Sequence, residues 1–147
     1  MIRKFLEKDF DDIYKLMRDF YDSPAVLCDI SDEIITRNIE NSINSSPYVE
    51  GFVFEENDEI LGYGMISKSY SSEYGGLCIW FEDIYLKPSH TGKGIGSKFF
   101  VFVENLYKDT AVRFRLEVEE NNTQAINLYE KCNFKRLEYV EMTKSID

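Results

Sequence analysis

The sequence predicts an α+β fold, a mixed and mostly antiparallel sheet with helices on both faces. Three observations carry that expectation. Apolar periodicity runs strand, helix, helix, several alternating strands, then strand, helix, strand, helix, strand, an order that leaves helices on either side of one sheet. The composition, 44% hydrophobic and 15% aromatic, is that of a packed chain rather than a disordered one. Finally, 147 residues suffice to remove roughly two thirds of the extended chain's surface from water, and no linker, repeat or low-complexity run divides residues 1–147 into more than one domain.

Residues 2–5 read as a short first strand. Asp9 or Asp11 can cap a helix reaching about Tyr21, with Ile13, Leu16, Met17 and Phe20 at helical spacing. Ser31, followed by Asp32, Glu33 and Ile34, starts a second helix that runs to about Ile43. Residues 49–55 and 60–67 alternate as two strands joined by the polar turn at Asn57 and Asp58. A Tyr/Ser/Gly loop, 70–76, precedes a strand over 77–86, which Pro88 ends by lacking a ladder donor. The helix after the glycines turns Ile95, Phe99, Phe102, Val103 and Leu106 inward. Residues 111–118 make another strand, 123–132 a helix, and 134–143 one or two final strands.

With 27 acids against 17 bases the chain carries a net charge of -10. That balance argues against nucleic-acid binding, which needs a basic face. The first residues turn charged before an apolar run develops, unlike a secretory leader, and no stretch approaches the ~20 apolar residues of a membrane span. Cys28, Cys78 and Cys132 are odd in number and scattered, and His90 is the one histidine. The expectation is reduced thiols in a cytoplasmic protein, with no metal site.

The most informative stretch is WFEDIYLKPSHTGKGIGSKFF, residues 80–100, where a strand runs through two acids into a glycine-rich turn and straight into a helix. Glycines admit close backbone approach, and the free amides of a helix's first turn attract an anion. Between Ile84 and Val103 there is no Asp or Glu, while Lys87, His90, Lys93 and Lys98 fall inside. An acidic chain that clears its acids from one glycine turn reserves that turn for a polyanion; the competing reading is a plain surface loop. Gly92, Gly94 and Gly96 give G-x-G-x-G, which fits neither the dinucleotide fingerprint nor the Walker pattern.

Thr91-Gly92-Lys93-Gly94-Ile95-Gly96 instead resembles the coenzyme A pyrophosphate loop of the GNAT superfamily of N-acetyltransferases, Gln/Arg-x-x-Gly-x-Gly/Ala between a strand and a long helix. NNTQAINLYEKCNF is similar to that family's Asn-x-x-Ala followed by Leu-Tyr-Glu and Gly-Phe. FEDIYLKPSHTGKGIGS is most similar to the diamine (spermidine/spermine) acetyltransferase branch, which has a Glu-Asp pair at the same place. Two residues depart from the pattern. Thr91 stands where Arg or Gln is usual, and Asn133 stands for the Gly before Phe134, where Asn tolerates the left-handed conformation expected past a helix end.

The resemblance implies a sheet splayed between the two strands that bind acetyl-CoA, the cosubstrate. The amides of Gly92, Lys93, Gly94, Ile95, Gly96 and Ser97 would cradle its diphosphate. Ile84 and Leu86 would pair with its pantetheine arm, and a strand amide around Tyr85 and Leu86 would receive the oxyanion. Glu82 is the position the resemblance marks as the base, and Tyr129 matches the family's general acid. Asn122 either contacts the coenzyme or simply caps its helix. The resemblance also implies a homodimer.

The chemistry asks for such groups independently. Strict alternation puts Trp80, Glu82, Ile84 and Leu86 on one face of the strand and Phe81, Asp83 and Tyr85 on the other. Two carboxylates in an apolar strand must face a water-filled cleft or be paired with cations, or serve only as structural acids. An acceptor amine has a pKa near ~10 and must lose a proton before it attacks, which a carboxylate in the cleft supports directly or through water. Asp83 would orient water or the amine, so both acids are candidate substrate contacts. Full proton transfer from a phenol to a thiolate is uphill by roughly 2 kcal/mol, so a hydrogen bond is the better description of Tyr129's part; a core aromatic is the alternative. Residues 1–60 hold 15 of the acids against six bases, which favours a small cationic acceptor such as a polyamine. Acetylation of a protein N-terminus or lysine, and a coenzyme A binding module without turnover, are the alternatives.

Overall fold

The computed structural model describes residues 1–146. Five strands, β1 (Ile2–Lys4), β2 (Val49–Glu56), β3 (Glu59–Ser71), β4 (Gly76–Leu86) and β5 (Ala111–Leu116), form one sheet in that spatial order. The first four pair antiparallel and β5 joins β4 in parallel. Four helices complete the chain: α1 (Phe10–Tyr21), α2 (Asp32–Ile43), α3 (Ile95–Tyr107) and α4 (Thr123–Lys131). The α+β architecture expected from the periodicity is the one observed.

The pleat of the sheet sorts the core into two layers. Val53, Tyr63 and Met65 face α1 and α2, packing with Ile13, Leu16, Met17, Ile35 and Ile39. Phe52, Phe54, Ile66, Ile79 and Phe81 face the other way, onto Phe99, Phe100 and Val103 of α3. Alternate strand positions therefore feed opposite helix layers, the signature of a sheet covered on both sides. Leu106, expected inward, is 48% exposed, and in the last turn of α3 it is Tyr107 that packs on the core.

Local chemistry sets the helix starts. Ser31 Oγ accepts the Ile34 amide and caps α2 as expected. Asp9 does not cap α1; its buried carboxylate is gripped by the Arg3 guanidinium at 2.7 and 3.0 Å and by the Leu6 amide. Burial is the largest influence and opposes that charge, but the Arg3 and Leu6 hydrogen bonds and the charges of Arg3 and Lys8 together outweigh it and leave the carboxyl below its ordinary pKa. Glu55 closes the other side of Arg3, so β1 is riveted to β2 and to the first turn.

The expected strands over 134–143 are not formed. Past Asn133, whose φ of 69° is the left-handed conformation expected there, the described chain is neither helix nor strand. Among the described residues no helix is long and apolar enough to cross a membrane.

Candidate active site

The pairing of β4 with β3 slips once. Ile66 pairs with Phe81, while Met65, the next residue back, pairs with Asp83. Glu82 is thus the additional residue of a β-bulge, which breaks the alternation of everything after it. Phe81 meets the α3 layer, with ring centroids 4.6 Å from Phe100, and Ile84 and Leu86 join the same layer. Asp83 and Tyr85 turn to α1, and Glu82 opens onto the same cleft as Asp83. This corrects the expected faces. Strict alternation separated the two acids; the bulge brings them together.

The cleft holds about 180 Å³. Tyr21 of α1 and Asn38 of α2 wall one side, Val49, Met65 and Ser67 the floor beside the two acids. Asp83, 5% exposed, accepts the Tyr21 hydroxyl at Oδ1 and the Tyr63 hydroxyl at Oδ2, both at 2.9 Å. Burial outweighs these two hydrogen bonds and, with the neighbouring Glu82 charge, pushes the carboxyl up to about 6. Burial and the Asp83 charge in turn raise both phenols, so Tyr21 and Tyr63 remain protonated donors. Glu82 is exposed and accepts the Ser67 hydroxyl at 2.6 Å. Of the expected alternatives it is the cleft that is found, and each acid is held there by neutral hydroxyls, not by cations.

Three of these partners escaped the sequence reading. Tyr21, Tyr63 and Ser67 belong to no motif, and their only signal is strand or helix spacing that brings them opposite the acids. Glu117, just past β5, escaped for the same reason. Burial, a hydrogen bond with Glu141 and the nearby charges of Glu141 and Glu82 raise its pKa, so it shares the acidic field of the cleft.

Beyond the bulge the sheet opens. The β4–β5 ladder ends at Phe81 and Leu116, whereas β4 continues to Leu86. The Lys87 amide donates to the Leu61 carbonyl of β3 at 2.9 Å. Because successive amides of a strand point to opposite edges, those of Leu86 and Ile84 face the edge that β5 has left. Tyr85 is different: its amide faces β3, and its ring packs 5.9 Å from Phe20.

The strand then enters the glycine turn. Thr91 Oγ1 donates to the Pro88 carbonyl at 3.0 Å, so its hydroxyl braces the turn. Gly92 and Gly94 have φ of 76° and 80°, and a Cβ on either would meet nothing within 4 Å. Conformation, not crowding, demands glycine there. Gly96 is buried, and a Cβ on it would meet Leu128 of α4 at an ordinary contact distance of 3.5 Å, so neither conformation nor crowding demands glycine there. The Lys98 amide makes a backbone hydrogen bond to the Gly94 carbonyl at 3.1 Å, leaving the amides of Ile95, Gly96 and Ser97 ahead of the first helical acceptor. With Lys93 exposed beside them, these groups fit a diphosphate.

Tyr129 lies on the opposite face of the sheet from Glu82, its ring edge-on to Phe100 at 5.6 Å. Burial raises its phenol above the ordinary value. The two expected catalytic side chains therefore do not meet; they lie on opposite sides of the sheet. Asn122 Oδ1 accepts the Ala125 amide at 3.2 Å, so helix capping accounts for the asparagine.

Residues 10–134 match the profile of the acetyltransferase (GNAT) family. A thialysine N-epsilon-acetyltransferase of Bos taurus is 30% identical over 152 residues, covering 96% of this chain and 87% of its own. Among solved structures, a possible acetyltransferase from Clostridium difficile 630 superposes with a TM-score of 0.86 at 20% identity, covering 100% of this chain and 97% of that one. The aminoglycoside N-acetyltransferase AAC(6')-Iy, solved in complex with CoA, superposes with a TM-score of 0.80 at 14% identity, covering 99% and 93%.

Proposed function

The chain belongs to the acetyltransferase (GNAT) family and is an acetyl-CoA-dependent acyltransferase, and from that premise we propose that it acetylates a primary amine of a small cationic acceptor, as in the diamine branch. One observation carries this reading. β4 places two carboxylates in a cleft, exposes an open backbone edge immediately after them, and leads into a glycine turn at the start of α3. A relative named for acetylating thialysine is in keeping with a small amine acceptor.

Acetyl-CoA supplies the activated acetyl group. The amides of the Gly92–Ser97 turn and the α3 N-terminus hold its diphosphate, and the open edge at Ile84 and Leu86 takes its arm in strand fashion. Glu82, exposed in the cleft and steadied by Ser67, attracts the acceptor ammonium and receives its proton, directly or through water. Asp83 is too buried to be the first contact; it adds negative charge beneath Glu82 and fixes Tyr21, the cleft wall. The Leu86 amide is aimed at the edge where an oxyanion forms. Tyr129, with its raised pKa, donates a hydrogen bond to the departing thiolate without surrendering its proton. Transfer is direct, with no acylated side chain.

Acetyl-CoA mixed separately with diamines, with thialysine and with lysine-bearing peptides, while thiol release is followed, tests the reading. Release with the small amines and not with the peptides is the expected result. Release with peptides alone would move the assignment to a protein acetyltransferase. No release with any pool, together with thermal stabilisation by coenzyme A, would make the chain a binding module.

A further inference from the structure

One row of side chains leads out of the cleft along the sheet. Ser67 of β3 pairs with Trp80 of β4, and Trp80 pairs with Arg115 of β5, so the three stand side by side on the face where Ser67 meets Glu82. The Arg115 guanidinium lies over the Trp80 ring, 4.4 Å from its centroid, and both residues are half-buried. A guanidinium over a ring sheds water from one face, while its N–H donors remain in its own plane. Arg113, on the same face of β5, lies over Tyr74 at 4.5 Å and donates to Glu73 at 3.2 Å. Arg115 has no such partner among the described residues. Glu73 is engaged by Arg113 and Tyr139, and Glu117 is hydrogen-bonded with Glu141.

An unpaired cation beside an amine-binding cleft works against a purely cationic acceptor, because it repels the ammonium that Glu82 and Asp83 draw in. It is useful when the acceptor carries a negative group of its own. Resting on the reading of the cleft as the acceptor site, we propose that Arg115 is a specificity residue that binds a carboxylate of the acceptor, which makes the substrate a free basic amino acid rather than a plain diamine. The rise of ~3.3 Å per strand residue sets Glu82 about 6–7 Å beyond the row of Trp80 and Arg115, the reach of an extended lysine-like side chain. The side-chain ammonium then meets Glu82 while the carboxylate takes the guanidinium's paired donors. Such an acceptor, with two ammonium groups and one carboxylate, keeps the net positive charge that the acidic cleft favours. A diamine without the carboxylate meets the repulsion and gains nothing in return.

Lysine and cadaverine share one carbon chain and the same reacting amine and differ only in the carboxylate. Steady-state kinetics of the full chain with acetyl-CoA and each of them test the assignment. The parent is expected to show a kcat/KM about 10- to 100-fold higher for lysine, the worth of charge-assisted hydrogen bonds to one carboxylate. Arg115→Met keeps an unbranched stem on Trp80 without the charge, and the preference is expected to fall to within about twofold, through the KM for lysine. Arg115→Lys, a point charge without the planar fork, is expected to keep part of the preference. Should Arg115→Met fail to fold by circular dichroism, Arg115→Gln is read in its place. A parent that takes cadaverine as readily as lysine overturns the carboxylate assignment and leaves the acceptor cleft standing. So does a preference that survives in folded Arg115→Met or Arg115→Gln. If neither amine is turned over, the acceptor reading itself fails, and this assignment with it.

Discussion

Glu82 and Asp83 are consecutive in β4 and yet open onto the same cleft, because Met65 pairs with Asp83 one step after Ile66 pairs with Phe81. The bulge makes one acid reachable and buries the other. It also sends Ile84 and Leu86 to the α3 layer. Division of labour between the acids follows from that slip.

Glu82→Gln keeps the Ser67 hydrogen bond but loses the proton acceptor. Steady-state kinetics with a diamine are expected to show kcat/KM lower by roughly 10²- to 10⁴-fold. Coenzyme A affinity, measured by calorimetry, stays where it was. An unchanged rate would remove Glu82 from the chemistry.

Asp83 makes stability depend on pH in an unusual direction. Its carboxyl rises from 3.8 to about 6 on folding, so between those values the native state holds the proton that the unfolded state has lost. Stability therefore falls as pH rises through that window and levels off above it, a loss on the order of 2–3 kcal/mol. Asp83→Asn abolishes this component, which urea unfolding at pH 4.5 and pH 7 reads directly. An Asn variant with the parent's pH slope would contradict the assignment.

Tyr129→Phe separates a hydrogen bond from a proton transfer. Loss of one bond to a developing charge lowers kcat about 10- to 100-fold. Because burial raises the phenol, the parent's pH–rate profile is expected to lack a limb that the Phe variant removes. A limb that disappears with the hydroxyl would instead show full proton transfer.

The two helix-start glycines differ in what they forbid. Gly94→Ala puts a Cβ into open space but forces a left-handed residue, at about 1–2 kcal/mol, and is expected to weaken coenzyme A binding about tenfold. Gly96→Ala meets Leu128 at an ordinary 3.5 Å contact and is expected to bind coenzyme A within about twofold of the parent. Comparable losses at both positions, read by calorimetry, would mean that crowding matters there and conformation does not.

What the sequence shows and hides follows from range. Ile13, Leu16 and Met17, the Ser31 cap and the β4 strand end near Pro88 are local signals, and each is where its spacing predicts. The glycine turn is legible too, because positive φ and cleared acids are properties of the chain alone. The bulge is not, since Phe81, Glu82 and Asp83 contain no glycine or proline to mark it and the slip exists only relative to β3. Hydroxyl partners from Tyr21 and Tyr63 arrive from 62 and 20 residues away and carry no motif. Asp9 looked like a cap until Arg3 claimed it. The strands over 134–143 had the right alternation, but those residues join no ladder in the described chain.

A crystal structure of the protein with coenzyme A tests the central claim most directly. The account requires the diphosphate on the amides of Gly92 through Ser97, the arm along the free edge at Ile84 and Leu86, and the thiol end beside the Glu82 cleft. A diphosphate bound elsewhere, with that turn facing only solvent, would contradict it.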